Sequence, residues 1–367
     1  MENKSNIDIF IDWLKNNPEL MKVLYEIRVC LSDAKLRKVE NSIWGKERGI
    51  NTPKQIRSMM NDFFSKNYSK ALTAEVNSIL DGTNTYFVDP ETGERKVFFN
   101  NTGNNAVVIK DGNKYLEFYV GIKNCLNDYL HTAHELSHAM SAHYRTKVDN
   151  IRNSIDFLVS YDPIHDGMTE IEALITERMF VKYLLNNRLI KDRDAKAYLN
   201  SDMTSLRWEL RSIIGGDGKI SDQIYGNENE RVGNQKDGKV RRGDYYFRYV
   251  VARIVADQWI KKYSSASEKE KEVMIENYED YLKHTDEASI DSACQFLLGK
   301  DFVNVAQDFM KDLKNEQEKD KNPPDRTRGF WQGVKDKIGN AGVKGILSCL
   351  PVKKHSNIRD KTDEKSQ

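Results

Sequence analysis

Four of the chain's seven histidines fall within thirteen residues, HTAHELSHAMSAH, from His131 to His143. Inside that run, His134-Glu135-Leu136-Ser137-His138 has the spacing H-E-x-x-H. Leu126, Leu130, Ala133 and Met140 recur with a helical period, so the run reads as part of an amphipathic helix. A helix rises about 1.5 Å and turns about 100° per residue, which sets His134 and His138 about 6 Å apart and about 40° round from each other. Both rings can then meet one ion, and neutral imidazoles suit Zn2+ in a tetrahedral site. Glu135, turned about 100° from His134, is too far round to ligate with the pair but can reach a water in the open fourth position. Zinc brings such a water toward a pKa of about 7, the carboxylate takes its proton, and the hydroxide attacks a polarised carbonyl. The chemistry implied is hydrolysis of an amide bond.

Two imidazoles leave a tripod short of one ligand. The downstream segment YDPIHDGMTEIEALITERMF, residues 161–180, offers Asp166, Glu170, Glu172 and Glu177 on what reads as a new helix. Thr169 as N-cap and Glu172 three residues later make a T-x-x-E capping box, which accounts for Glu172 without a metal. Glu170 has no such local employment and shares a face with Ala173, Leu174 and Glu177. Glu170 is therefore the expected third ligand, ahead of Glu172 and Asp166, with Glu177 among the remaining choices. His143, five residues after His138, is left out of the ligand set. His131 lies on the face of the pair and reads as a solvated or capping group, with an outer-partner or fourth-donor role as the alternative.

These residues need elements to hold them. Apolar stripes such as Ile7, Phe10, Ile11 and Leu14, then Leu20, Val23, Leu24 and Ile27, make residues 1–82 a helical region. Short β-rich runs follow at 85–88, 96–100, 106–110 and 114–120, and AVVIK-DGN-KYLEFYV is the clearest hairpin signal. Past residue 145 the chain is dominated by helices, expected at 169–187, 192–213, 244–263, 267–284 and 286–314, with a capping box at Ser267 and Glu270. The Gly-, Asn- and charge-rich stretch 215–243 reads as a flap or linker within a unit spanning 83–315, and 316–367 as a poorly ordered tail. That tail holds an amphipathic piece at 330–350, where membrane or partner docking, aided by acylation at Cys349, is weighed against stray apolar residues in a flexible end.

Composition narrows the partners. Across 367 residues, Lys+Arg 57 against Asp+Glu 56 leaves a formal charge of +1, so no global field recruits nucleic acid or an anionic membrane. The basic stretch Lys236, Lys239, Arg241 and Arg242 is too poor in aromatics to argue nucleic-acid binding. Four scattered cysteines without a CxxC pair fit a reducing compartment, and the N-terminus lacks the pattern of a secretory signal. The expected setting is a cytosol, the producing cell's own or that of a host receiving a toxin or effector.

The H-E-x-x-H helix with a strand upstream and an acid-rich helix downstream resembles the zincin metallopeptidases, over about residues 85–187. The resemblance implies an α+β fold in which a small, largely antiparallel sheet backs the active-site helix, with a strand such as KYLEFYVG pairing with extended substrate. In the gluzincin branch the third ligand is a Glu on a following helix, in a run like GMTEIEA. The same resemblance makes Tyr161 and His165 candidates to steady an oxyanion. The function expected is a zinc-dependent endopeptidase acting on a protein or peptide with Glu135 as general base. The rival expectations are a non-catalytic zinc-binding module on a zincin scaffold and a helical structural protein with incidental histidines.

Overall fold

The computed structural model describes residues 16–33, 44, 46, 51–82, 85–88, 103–110, 113–122, 124–147, 169–214, 243–284 and 289–321. Among them are ten helices and three strands. The N-terminal helices are α1 (Pro18–Asp33), α2 (Pro53–Asn67) and α3 (Lys70–Leu80). Thr52 begins α2 with a reciprocal capping box to Gln55 and Pro53 in the first turn. The helix then buries Ile56, Met59, Met60, Phe63 and Phe64 at helical spacing. Ser69 caps α3, whose Leu72, Val76, Ile79 and Leu80 turn to the same core.

Strands β1 (Thr85–Val88), β2 (Gly103–Lys110) and β3 (Asn113–Gly121) make one ladder in the order β1-β3-β2. β2 runs antiparallel to β3, from Gly103 opposite Val120 to Lys110 opposite Asn113. β1 runs parallel to β3, with Thr85 opposite Phe118. The sheet is thus mixed and small, and the expected α+β balance gives way to a mostly helical molecule. The reason is visible in Phe118 and Val120, which are fully buried where β3 meets the next helix, while the other core residues come almost entirely from helices.

That next helix is α4 (Asn127–Lys147), followed by α5 (Thr169–Asn186), α6 (Asp192–Ile214), α7 (Gly243–Ser265), α8 (Glu268–Tyr281), α9 (Ile290–Leu298) and α10 (Phe302–Lys321). α7 buries Phe247, Val250, Val251, Ile254, Val255 and Trp259 over about half of its circumference, as suits a central helix. It packs against α5, α6 and α10, and α4 lies between α5 and the ladder. The capping box at Ser267 and Glu270 starts α8. A single helix over 286–314 was the expectation, but two form. Gly299 takes φ +74 as the left-handed cap of α9, its N–H bonding Gln295 O at 2.8 Å, and Asp301 then caps α10 through Asn304 N–H.

α10 continues to Lys321, past the point where the composition turns charged. Gln317 Nε2 donates to Cys30 O at 2.6 Å and Lys314 pairs with Glu26, tying this end to α1. The expected strand at 96–100, the stretch 215–242 and the tail beyond 321, with its segment at 330–350 and Cys349, lie outside the described residues. None of the described helices is long and apolar enough to cross a membrane.

Candidate metal centre

The position of α4 is set at its start. Buried Asp128 accepts the Cys125 N–H at 3.1 Å and Asn51 Nδ2 at 2.7 Å, and Asn127 N–H bonds Trp44 O at 3.0 Å. Ala133, Leu136, Ala139 and Met140 are then wholly buried. The helix is thereby oriented with His134 and His138 toward α5, their side chains 17% and 15% exposed.

Across from them, Glu170 stands in the first turn of α5 with its side chain 7% exposed. His134 Nε2 and His138 Nε2 are 3.2 Å apart, and Glu170 Oε2 lies 3.6 Å from the first and 3.8 Å from the second. Glu170 Oε2 is buried and has no hydrogen-bond partner among the described residues. A triangle with these edges is equidistant from a point roughly 2 Å from each corner, close to Zn–N and Zn–O bond lengths of about 2.0–2.2 Å. Two neutral imidazoles and a carboxylate are also a zinc donor set, so the residues present fit the ion.

The far side of each ring is held by another glutamate of α5. His134 Nδ1 meets Glu177 Oε1 at 2.5 Å, and Tyr198 Oη on α6 donates to Glu177 Oε2 at 2.7 Å. His138 Nδ1 lies 3.4 Å from Glu172 Oε1, which also accepts from Ser141 Oγ at 3.2 Å. An Nδ1–H donated to a carboxylate fixes the tautomer, leaving the Nε2 lone pair to face the tripod's centre. Two such lone pairs 3.2 Å apart repel unless a cation or proton lies between them.

Electrostatics favour that cation. Burial opposes charge on His134, yet its hydrogen bond to Glu177 and the charges of Glu177, Glu135 and Glu170 raise its pKa to about 10. Burial likewise pushes Glu177 up, but the bond and charge of His134 and the Tyr198 hydroxyl bring it down to about 2. Burial would also raise Glu170, and the charges of His138, Arg248 and His134, with a hydrogen bond from Tyr249, hold it below the ordinary range. Tyr198 is driven far above its usual pKa, first by burial and then by the Glu177 charge, so it is a neutral donor.

Of the residues singled out in the sequence, the structure brings His134, His138 and Glu170 together. Glu135 sits half-buried on the same helix. Glu172 is wholly buried and its carboxylate reaches across to Ser141 of α4. Glu177 stands outside the tripod, behind His134. His131 Nε2 is bonded by Asn127 Nδ2 at 2.9 Å and belongs to no metal-sized group among the described residues. Tyr161, His165, Asp166 and the side chain of His143 lie outside the described residues. Sequence reading missed Tyr198 on α6 and Arg248 and Tyr249 on α7. Arg248 Nη2 is 3.6 Å from Glu170 Oε1, opposite the oxygen that faces the imidazoles. Nothing in the local sequence singles these three out, since Tyr198 shares a stripe of α6 with Asp202 and Glu209 and α7 carries Arg253 and Asp257 as well as Arg248.

The chain matches no family model and no curated protein. Its fold does have counterparts among solved structures. A Bacillus anthracis str. Ames protein proposed to be an oligoendopeptidase F aligns at TM-score 0.51 and 12% identity, over 87% of this chain and 57% of that one. A 3.1 Å structure of a protein likewise proposed to be an oligoendopeptidase F aligns at TM-score 0.52 and 12% identity, over 89% of this chain and 59% of that one. The likeness is one of fold, and this chain spans under three fifths of either. The class so defined is a mostly helical fold shared with those two structures, here carrying a His-His-Glu cluster between α4 and α5.

Proposed function

We propose that the protein is a zinc-dependent peptidase that hydrolyses a peptide bond of a protein or peptide substrate. The observation that carries this reading is the buried, unpartnered Oε2 of Glu170 facing two imidazole nitrogens whose opposite nitrogens are each held by another carboxylate. His134, His138 and Glu170 would hold the ion, which when bound would supply the Lewis acidity that polarises a scissile carbonyl and acidifies a water. Glu135, next to His134 on α4 and outside the tripod, takes the proton from the attacking water and passes it to the leaving amine. Glu177 and Glu172 keep Nδ1 protonated on their histidines, so that Nε2 remains a donor to the ion. The fold shared with oligoendopeptidase F-type structures supports the same reading.

The test combines metal content with substrate discovery. Purified protein should hold one zinc per chain. Labelling of new N-termini in a lysate should reveal cleavages made by wild type and missing with Glu135→Gln, which keeps its zinc and loses activity by roughly 10²–10⁴-fold. Running this on both a native and a host lysate also places the substrate in the producing cell or in a recipient. A Glu135→Gln protein cutting at the wild-type rate would overturn the mechanism, and stoichiometric zinc without any cleavage would make the protein a binding module.

A further inference from the structure

Behind the tripod, four ionisable side chains are gathered where α5, α6 and α7 meet. Asp202 on α6, 5% exposed, is gripped by Arg178 of α5 and Arg253 of α7. Arg253 also forms a two-pronged pair with Glu209, Nε to Oε2 at 2.9 Å and Nη2 to Oε1 at 3.2 Å. Tyr198, Asp202 and Glu209 stand at i, i+4 and i+11 of α6, which is one stripe of the helix. That stripe reaches Glu177 at one end and Arg253 at the other. Arg178 follows Glu177 directly in the chain, and Arg253 lies five residues beyond Arg248.

As a source of stability this arrangement is poor. Removing ions from water costs several kcal/mol each, and well-packed apolar substitutes are often neutral or stabilising. Arg178 is 3% exposed, yet its Nε and Nη1 find no hydrogen-bond partner among the described residues. Apolar contacts would hold the three helices together equally well, but they would tolerate small slides and rotations. Directional ion pairs do not.

We propose that Arg178, Asp202, Arg253 and Glu209 are positioning residues for the metal centre, locking α5, α6 and α7 so that Glu177 and Tyr198 back His134 while Arg248 and Tyr249 back Glu170. The inference rests on the zinc reading above.

The test separates geometry from stability. The variant R178M/D202L/R253M/E209Q replaces the network with neutral groups of similar size, D202N breaks it at its hub, and L297A destabilises the remote α9 as a control. Zinc affinity is measured by competition with a chromophoric chelator well below each melting temperature, and cobalt substitution reports ligand geometry through its visible spectrum. The four-fold variant should melt no lower than wild type yet bind zinc about tenfold more weakly, with an altered cobalt spectrum. D202N should melt lower and also lose about tenfold in affinity, while L297A melts lower and binds as wild type does. If the four-fold variant does not fold, the comparison of D202N with L297A decides. Network variants that bind zinc within twofold of wild type would overturn the positioning role alone. A wild-type protein that binds no zinc would overturn this inference together with the zinc reading.

Discussion

At the residue scale, three glutamates of α5 carry the same functional group, and their surroundings divide them between two tasks. Glu170 directs a buried, unpartnered oxygen at both Nε2 atoms, while Glu177 and Glu172 stand behind the rings. Glu170→Gln should therefore reduce zinc affinity by at least 100-fold, since an amide oxygen is a poor zinc ligand. Glu177→Gln should cost about 10–100-fold, the usual effect of removing an outer partner of a metal-bound histidine. Chelator competition on the folded variants measures both, and a Glu177→Gln protein weaker than Glu170→Gln would exchange their roles. The histidine pair and Glu135 were legible in the sequence because helical spacing alone fixes their relation. Glu170 was reached by eliminating Glu172 as a capping residue, yet Glu172 turns out to point at Ser141 and His138. No local pattern reveals which side of α5 faces α4, because that helix is apolar nearly all round and its orientation is decided by packing.

At the scale of elements, the start at Ser267 with Glu270 was readable because the side chain closes on its own backbone, whereas the equivalent caps at Thr52, Ser69 and Ser289 were not read. The break at Gly299 was missed because the apolar period runs across it and only the left-handed φ of that residue divides α9 from α10. Contacts between distant helices were not legible, since Tyr198, Arg248 and Tyr249 reach the centre from helices that follow it by many residues. One buried charge at such a junction gives a measurable consequence. Lys182 of α5 is buried, donates to Ser264 at 3.0 Å and lies 4.7 Å from the Tyr263 ring, and burial, aided by Lys271, lowers its pKa to about 8. The unfolded chain holds this proton more tightly, with a pKa of about 10.4. Stability should thus rise as pH goes from about 8 to 10.4, by an amount on the order of 1–3 kcal/mol, and be level with respect to this group below 8. Lys182→Met should raise the melting temperature by a degree or two at pH 7, with the gain fading toward pH 10. A constant gain across that range would show that the lysine is not penalised by burial.

At the scale of the whole molecule, the proposed ligands come from two helices, α4 and α5, that pack on each other. α4 rests on the ladder, on α2 and on α3, and α5 packs against α4, α7, α6 and α2, with Tyr278 of α8 donating to Glu172 O at 3.0 Å. A tripod that joins His134 and His138 to Glu170, more than thirty residues further on, does not exist in the unfolded chain, so the proposed zinc would bind the folded state and its affinity would become folding free energy. With free zinc at 100 times its dissociation constant, the gain is about 2.7 kcal/mol. Melting temperatures of chains of 150–250 residues shift by roughly 2–4 °C per kcal/mol, and a longer chain responds less, so removing the metal should lower the transition by roughly 3–8 °C. Glu135→Gln should show the same drop with a chelator as wild type, because it leaves the tripod whole. Glu170→Gln should show almost none, having little zinc to lose. The contrast between these two variants, read by calorimetry with and without chelator, distinguishes an ion held by His134, His138 and Glu170 from one bound at scattered surface groups. Equal drops in both variants would place the stabilising metal somewhere else on the protein.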